Sequence, residues 1–393
     1  MAVNLIRNSR VFFTTNVDSQ GRVKAGAYKD SATPFTTSNT FEIQVLEGMT
    51  FSQNTTLDTV TLNEAGETPA RGQRSFNTAL EPLDFSFSTY LRPFNDGTNI
   101  TAEEGYLWNA FAGSIAIGTA NAAWTVGTSP NPAILAVTNS NKHQLQAFGL
   151  IIIFDDLAYV LDNCALDTAT IDFGIDAIAA IQWAGKGSLI RQLAITAGQP
   201  SSGEVTFGGA DITTSPDVAD KAKAKNATAK YITNKLTTLQ VNDAINDFTG
   251  SDYTVPITGG NITLSNNLTY LTPANLGVVN LPITYFTGTR AISGTLTAYL
   301  RSGASNTGGL LSGLLANAAN EINPSYAINI QMGGGSNSTR VDVKLPAAML
   351  QIPTVNTEQV ISTTINFNGQ GWTGTDFNID SSNEVSIEYH ATV

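Results

Sequence analysis

Cysteine and histidine are scarce in this chain of 393 residues, and the scarcity of each disfavours a class of protein. Cys164 is the only cysteine, so the chain has no second thiol with which to build an internal disulfide framework. Its place just after an apolar stretch favours a small buried residue over a nucleophile. His143 and His390 are the only histidines, so few side chains could act as a general base near neutral pH.

Long apolar runs are also missing. The N-terminal segment lacks the roughly seven or more apolar residues of a secretory signal, and no run approaches the ~18 apolar residues of a membrane span. We therefore expect assembly in the cytoplasm of the cell that produces the protein, and no membrane partner. The net charge of −12 disfavours a protein that grips nucleic acid, because such binding rests on lysine and arginine neutralising phosphates.

Charged residues make up only 13% of the chain, about half the usual fraction of roughly 25%. A free monomer normally keeps roughly 25–35% of its surface charged for solubility. This shortage indicates that other subunits cover much of the exterior. An alternative interpretation is a Thr/Asn-rich β protein of the extracellular type.

The supply of reactive residues disfavours an enzyme. The chain has no Gly-x-Ser-x-Gly elbow, no phosphate-binding loop and no Cys/His cluster with zinc spacing. Asp155-Asp156 and Glu103-Glu104 are the paired carboxylates that a glycosidase could use. Adjacent acids on a strand point to opposite faces, however, and Glu104 fits better as a helix cap. We therefore predict no enzymatic activity and no catalytic, cofactor-binding or metal-binding residues.

The chain contains an internal duplication. Residues 161–187 and 345–371 align without a gap and end in Gly-Lys-Gly and Gly-Gln-Gly, respectively. Upstream, Tyr-Leu-Arg at 90–92 is matched by Tyr-Leu-Arg at 299–301. A long repeat indicates tandem copies of one structural unit. The predicted division is a first domain at 1–187, an inter-domain linker at 188–229, and a second domain at 230–393 that repeats the first.

Alternating apolar and polar residues dominate both halves, which is typical of strands with one buried face. In the first half Phe85 and Phe87 share a face, and in the second half Ile292 and Leu296 form the matching face, with Gly294 in place of Phe85. Each half also has one helical stretch, which flanks the sheet. The predicted fold is mainly β, with tandem domains that are each an antiparallel β-sandwich or barrel unit with one flanking α-helix.

The two helices have different sequence signals. The first is predicted at 101–111, where Thr101 and Glu104 form a capping box and Gly113 ends the helix. The second is predicted at about 309–321, where leucines recur at helical spacing. We expect those leucines to lie in the core.

A hairpin in the first half is a candidate arm. It spans residues 63–77, and the second half has no full counterpart in sequence. We hypothesise that it reaches a neighbouring subunit or ring, where Arg71 and Arg74 would pair with acids; the alternative is a mobile surface loop. The candidate arm residues are Asn63, Glu64, Gly66, Arg71, Gly72, Arg74 and Phe76.

Several stretches together resemble one protein family. Residues 63–72 read Asn-Glu-Ala-Gly-Glu-Thr-Pro-Ala-Arg-Gly, and Phe87-Ser88-Thr89-Tyr90 follows after Phe76-Asn77. Further matching stretches are residues 5–10, 231–236, 256–260, 267–273 and 296–300. In these motifs the chain resembles the two-domain major tail tube proteins of T-five-like siphophages.

This resemblance implies a structural virion protein. Three chains would close into a pseudo-hexameric ring of six similar domains, and rings would stack into the tail tube through which the genome is delivered. The implied partners are further copies of the chain, the tape-measure, tail-terminator and distal tail proteins, and double-stranded DNA that passes without specific binding. We expect the tube lining to be net negative, because wall cations would attract the DNA phosphates.

Two other functions remain open from the sequence alone. One is a tube or ring component of another contractile or secretion-type machine. The other is a secreted carbohydrate-active or adhesin β protein.

Overall fold

The computed structural model describes most of the chain. The described residues are 9–28, 35–36, 38–60, 73–113, 123–137, 145–154, 157–196, 199–200, 206–207, 210–211, 231–320, 325–335, 338–357, 360–371 and 384–392. Within them, antiparallel strands predominate and the sheets do not close into a barrel, so the predicted mainly β fold is confirmed. No helix in these ranges is long and apolar enough to span a bilayer.

The first half contains strands β1 (Arg10–Thr14), β2 (Thr40–Ile43), β3 (Thr50–Ser52), β4 (Thr55–Val60), β5 (Arg74–Leu80), β6 (Leu83–Tyr90), β7 (Pro93–Asn95), β8 (Asn99–Ala102), β9 (Trp124–Thr125), β10 (Gly127–Thr128), β11 (Ala133–Ala136), β12 (Phe148–Ile153), β13 (Ala158–Asp172), β14 (Ala180–Gly187) and β15 (Leu189–Leu193), with helix α1 (Gly105–Ala112). Four two-residue strands follow: β16 (Ile195–Thr196), β17 (Gln199–Pro200), β18 (Thr206–Phe207) and β19 (Ala210–Asp211). These short strands and β15 fall in the segment predicted as a linker.

The second half contains β20 (Thr238–Asn242), β21 (Tyr253–Thr254), β22 (Ile257–Ser265), β23 (Leu268–Leu271), β24 (Thr284–Thr287), β25 (Ala291–Tyr299), β26 (Tyr326–Met332), β27 (Arg340–Leu350), β28 (Thr354–Thr357), β29 (Ile361–Gly369) and β30 (Ser386–His390), with helix α2 (Thr307–Asn320). Short 3-10 helices lie at Gly26–Tyr28 and Asn234–Leu236.

One sheet runs through both halves of the chain. Its strand order is β3, β6, β14, β13, β22, β25, β29 and β28, and every neighbouring pair is antiparallel. The junction between the halves is the pairing of β13 with β22, in which Thr168 lies opposite Ser265 and Asp172 opposite Asn261. We call this the continuous sheet, because it crosses from one half to the other without a break.

A second arrangement of strands occurs once in each half of the chain. In the first half β2, β1, β12, β13 and β15 pair in that order, and in the second half β21, β20, β26, β27 and β30 do so. The pairing of β12 with β13 shifts register between Phe148 and Leu150, and the pairing of β26 with β27 shifts between Tyr326 and Ile328. The two halves therefore share the strand order and also the position of a β-bulge.

Each half buries a Phe ring over a glycine of the neighbouring strand. Phe85 on β6 lies opposite Gly185 on β14, and Phe367 on β29 lies opposite Gly294 on β25. In the gap-free repeat, however, Phe367 aligns with Trp183 and Gly185 aligns with Gly369, so the two ring-over-glycine contacts do not lie at equivalent positions of the repeat. Gly294, which stands in place of Phe85, leaves room for the Phe367 ring.

We predict that Gly294→Ala lowers the free energy of unfolding by about 1–3 kcal/mol, because its methyl group would overlap the Phe367 ring and the Asn261 carbonyl oxygen. Urea denaturation of the purified protein measures this change. Gly250→Ala is the control, since a methyl group there meets no other atom within 4 Å. Equal stability of the two variants would contradict the packing described.

The two helices differ from the sequence predictions in the start of the first helix and in the burial of the second. Helix α1 begins at Gly105 rather than at Thr101, because Thr101 belongs to β8 and pairs with Phe94. Glu104 occupies the N-cap position without a side-chain capping bond, so the predicted capping box is wrong. The second predicted helix is present as α2, but Leu315 is 51% exposed rather than in the core.

The different burial of the helices has a simple cause. Trp108 in α1 is covered by Tyr389 of β30, which comes from the other half of the chain. Strand β30 pairs both with β27 of its own half and with β11 of the first half. Much of α2 stays exposed in the single chain, with Leu310 and Leu314 buried.

Candidate assembly surfaces

The β4–β5 hairpin is the clearest projecting element of the first half. Every residue of β4 is exposed, as are the first five of β5. Arg74 and Phe76, two of the predicted arm residues, lie on β5 opposite Val60 and Asp58, respectively. The last residues of β5 are held by the second half, since the Leu80 backbone N–H donates to the Asn280 carbonyl oxygen at 2.9 Å. The exposed remainder of a two-stranded ribbon is marginal, so an additional contact would stabilise it.

The remaining arm residues belong to the connection between these strands. Asn63, Glu64, Gly66, Arg71 and Gly72 lie outside the described residues. Strands β4 and β5, which flank these residues, form an antiparallel pair. The contact made by the arm and the pairing of its arginines stay predictions.

The second half has a shorter hairpin at the same point of the topology. Strands β23 and β24 connect β22 to β25, as β4 and β5 connect β3 to β6. The expectation that the arm lacks a full counterpart therefore holds for length but not for topology. The two hairpins differ in length and composition, so their likeness in sequence is loose.

Unlike β4–β5, the β23–β24 hairpin has one face buried, and it is buried on the first half of the chain. The Tyr270 hydroxyl donates to the Asn163 carbonyl oxygen at 2.6 Å, and the Tyr285 hydroxyl donates to the Leu145 carbonyl oxygen at 2.8 Å. Leu268 packs in the same small cluster. Within one chain, the hairpin of the second half thus lies on the body of the first.

The contact between the halves buries side chains whose repeat equivalents remain exposed. Ile171 on β13 lies opposite Ile262 on β22 and is fully buried. The duplication aligns Ile171 with Val355 on β28, which is 39% exposed. Likewise Ala165 is fully buried, while its equivalent Met349 is 38% exposed. The second half therefore has an uncovered copy of the surface that the first half buries.

Both outermost strands of the continuous sheet have a free edge. In the described part of the chain, β3 pairs with β6 alone and β28 pairs with β29 alone. Unpaired edge strands are templates for association with another chain. All four residues of β28 are exposed, and none of them is charged.

One face of the continuous sheet is polar along its whole width, while the other contributes to the hydrophobic core. Its hydroxyls meet across strands: Thr50 and Ser86 are 2.9 Å apart, and Thr170 and Thr263 are 3.0 Å apart. Further polar residues on this face are Ser88, Gln182, Thr168, Asn261, Ser265, Ser293, Thr295, Thr297, Ser362, Thr364, Asn366, Asn368, Thr354 and Asn356.

Charge on this polar face is sparse. Lys186 lies on this face, and the Lys186 ammonium is 2.7 Å from the Asp84 carboxylate. Asp172 lies near one end of the strands, and Asp167 lies at the bulge of β13 beside a cavity of about 250 Å³ that Asp84 and Lys186 also line. Among the described strands, the face is therefore mildly acidic with its one lysine paired.

The carboxylates considered for catalysis do not form a cleft. Glu103 accepts the Gln44 backbone N–H at 2.7 Å and pairs with Arg92 at 3.6 Å, whereas Glu104 points into the core and accepts the Arg92 backbone N–H. Burial raises the pKa of Glu104 to about 7. Its carboxyl belongs to a buried group with the Tyr389 hydroxyl, which accepts a hydrogen bond from Trp108 Nε1 at 2.8 Å. Asp155-Asp156 lies outside the described residues.

Three potential metal ligands, Asp342, Glu388 and His390, come together near the C-terminal strand, with their ligand atoms within 4.8 Å of one another. Cations of the chain already occupy the two carboxylates, since Arg340 bonds both Asp342 oxygens at 3.0 Å and Lys344 bonds Glu388 at 2.6 Å. The cluster is therefore best explained as an ion-pair network that fastens β30 to β27.

The other residues considered for chemistry are also accounted for. Cys164 is buried, its thiol faces the Leu161 carbonyl oxygen, and burial raises its pKa, as expected for a packing residue rather than a nucleophile. His143 lies outside the described residues.

In its described residues, this mainly β chain has two free sheet edges and an exposed copy of its internal contact surface, which are features expected of a subunit in a repeating assembly. No model of a known protein family matches the chain. It is 31% identical over 373 residues to tail tube protein pb6 of Escherichia phage T5, and the match covers 93% of this chain and 72% of that protein. The chain belongs to the family of major tail tube proteins of T-five-like phages.

Proposed function

We propose that the protein is the structural wall subunit of a bacteriophage tail tube, in which three chains close into a pseudo-hexameric ring and rings stack into the conduit for the genome. The observation that carries this proposal is the contrast between Ile171, buried by the second half of its own chain, and the equivalent Val355, left exposed. The missing cover for Val355 is the first half of the next chain.

Ring closure would use the two free edges. In the chain, β13 pairs with β22, the strand that precedes the β23–β24 hairpin. The equivalent contact between chains places β28 of one subunit beside β3 of the next, since β3 precedes the β4–β5 hairpin. Repeating one contact within and between chains closes the continuous sheet and removes both edges.

The tandem division supports this scheme. We propose that residues 1–187 and 230–393 are two tube domains, and that β15, at the start of the predicted linker 188–229, completes the sheet of the first. The shared strand order and the shared bulge support this division. Each ring would then hold six similar domains from three chains.

The arm follows from the same repeat. The β23–β24 hairpin buries one face on the first half of its own chain, so the β4–β5 hairpin would bury a face on the second half of the neighbouring chain. Phe76, Val60 and Leu57 are exposed in the single chain and would supply its apolar contacts. Arg71 and Arg74 would pair with acids there.

The polar face of the continuous sheet would line the bore. Duplex DNA carries about one negative charge per 1.7 Å, so each unpaired wall cation would hold it. A lining of hydroxyl and amide groups, mildly acidic and with Lys186 paired to Asp84, lets the DNA pass without specific binding. Tape-measure, tail-terminator and distal tail proteins would contact the tube inside and at its ends. The subunit would act in the virion tail after assembly in the host cytoplasm, without enzymatic activity.

Electron microscopy and native mass spectrometry of the purified protein test this function. The expected products are rings of three chains and hollow tubes built from them. A protein that stays monomeric at every concentration would contradict the proposal, and one that stops at single rings would favour a baseplate-type or secretion-type ring instead.

A further inference from the structure

The two ends of the continuous sheet carry different apolar surfaces. At one end both hairpins project, because β4–β5 joins β3 to β6 and β23–β24 joins β22 to β25. Two turns lie at the other end. One joins β13 to β14, where Asp172 pairs with Ala180. The other joins β28 to β29, where Thr357 pairs with Ile361.

The hairpin of the second half has an unusual concentration of exposed apolar side chains. Leu276, Val278, Val279, Leu281, Ile283 and Phe286 are all exposed, and we call this set the crown. The 16 residues from 271 to 286 contain no charged side chain. The buried face of this hairpin already contacts the first half through Tyr270 and Tyr285, so the crown is what the chain itself leaves uncovered.

The opposite end of the sheet also carries exposed apolar side chains. Ile175, Ile178, Tyr299, Val360 and Ile361 are exposed there, and we call this set the base. Ile175 and Ile178 lie in the turn after β13, where Asp176 is the one charged residue between Asp172 and Ala180. Exposed apolar side chains that gather at one end of a sheet are typical of a surface that contacts another protein.

We propose that the crown of one ring packs on the base of the next ring, so that a second copy of this chain is the occupant of both surfaces and the tube grows head to tail. This inference rests on the proposed ring and tube. Two different surfaces at opposite ends make a heterologous contact that does not close on itself, which is the geometry of an open filament. The lack of charge in the crown means that stacking buries no unpaired ion there.

Two variants test the contact. The crown variant carries Val278→Asp and Leu281→Asp, and the base variant carries Ile175→Asp and Ile178→Asp; Val126→Asp, at an exposed apolar residue outside both sets, is the control. Since all five side chains are exposed, thermal unfolding of each single chain should match wild type. We expect each double variant to form rings of three chains that fail to stack, with at least a tenfold loss of tube mass by sedimentation, while the control forms tubes.

A mixture of the two variants tests the direction of stacking. A ring of crown variant keeps an intact base, and a ring of base variant keeps an intact crown, so the mixture should yield stacks of two rings and no longer tubes. The inference is overturned by normal tubes from either double variant, by a mixture without two-ring stacks, or by a crown variant that no longer forms rings. A wild-type protein that forms no rings would instead overturn the proposed function itself.

Discussion

The substitution Val355→Asp should leave the chain folded and abolish ring formation. Val355 lies on the free edge strand β28 and is exposed in the single chain, so a carboxylate there remains in water. In the proposed ring, β3 of the neighbouring chain covers it, and an unpaired charge at the centre of an interface costs several kcal/mol. Each ring would bury three such charges. Native mass spectrometry should therefore show single chains under conditions in which wild type gives trimers.

The duplication supplies a matched control for this prediction. Ile171→Asp makes the same type of change at the equivalent position of the first half, where the side chain is fully buried opposite Ile262. That variant should unfold at lower denaturant concentration than Val355→Asp, because its charge is buried within the chain. If Val355→Asp assembled normally, or if the two variants were equally unstable, the equivalence of the two contacts would be wrong.

The substitution Glu104→Gln should stabilise the protein at pH 8 and have little effect at pH 4.5. Burial raises the pKa of this carboxyl from 4.5 to about 7, so the folded chain holds a proton that the unfolded chain releases across this interval. The contribution of Glu104 to the free energy of unfolding is therefore full below pH 4.5. As the pH rises through 7, the free energy of unfolding falls by about 3 kcal/mol on account of this group, because the unfolded chain releases the Glu104 proton more readily. Glutamine resembles the protonated carboxyl and removes this loss.

Denaturant unfolding at pH 4.5, 6 and 8 measures the effect of Glu104→Gln. The difference between variant and wild type should grow with pH up to about 7 and then level off. Glu81→Gln controls for the loss of one negative charge at an exposed position. A difference that is independent of pH would show that Glu104 is not a buried, proton-holding group.

Much of the fold could be predicted from the sequence because the signals are local or repeated. The period of two in Leu83–Tyr90 identifies a strand with one buried face, and the structure has that strand with that face buried. The leucine spacing of α2 identifies its helix. The gap-free repeat also aligns Ile171 with Val355, the two residues whose different burial supports the proposed ring.

Other features depend on contacts far apart in the chain, and local patterns could not supply them. Thr101 and Glu104 have capping-box spacing, yet Thr101 pairs with Phe94 in a sheet and Glu104 is held beside Tyr389, 285 residues further on. Leu315 has the right spacing for a core residue, but in the single chain its side chain is 51% exposed. In the proposed tube, other copies of the chain would cover the crown.

In the proposed tube, the contact between the two halves of one chain is repeated between neighbouring chains. A cryo-EM map of the assembled tube at side-chain resolution would show this contact. We expect three chains in each ring, β28 of one chain antiparallel to β3 of the next, Val355 buried in that contact, and the face with Thr170 and Thr263 turned toward the bore. A map in which β28 borders solvent, or in which that polar face points outward, would contradict it.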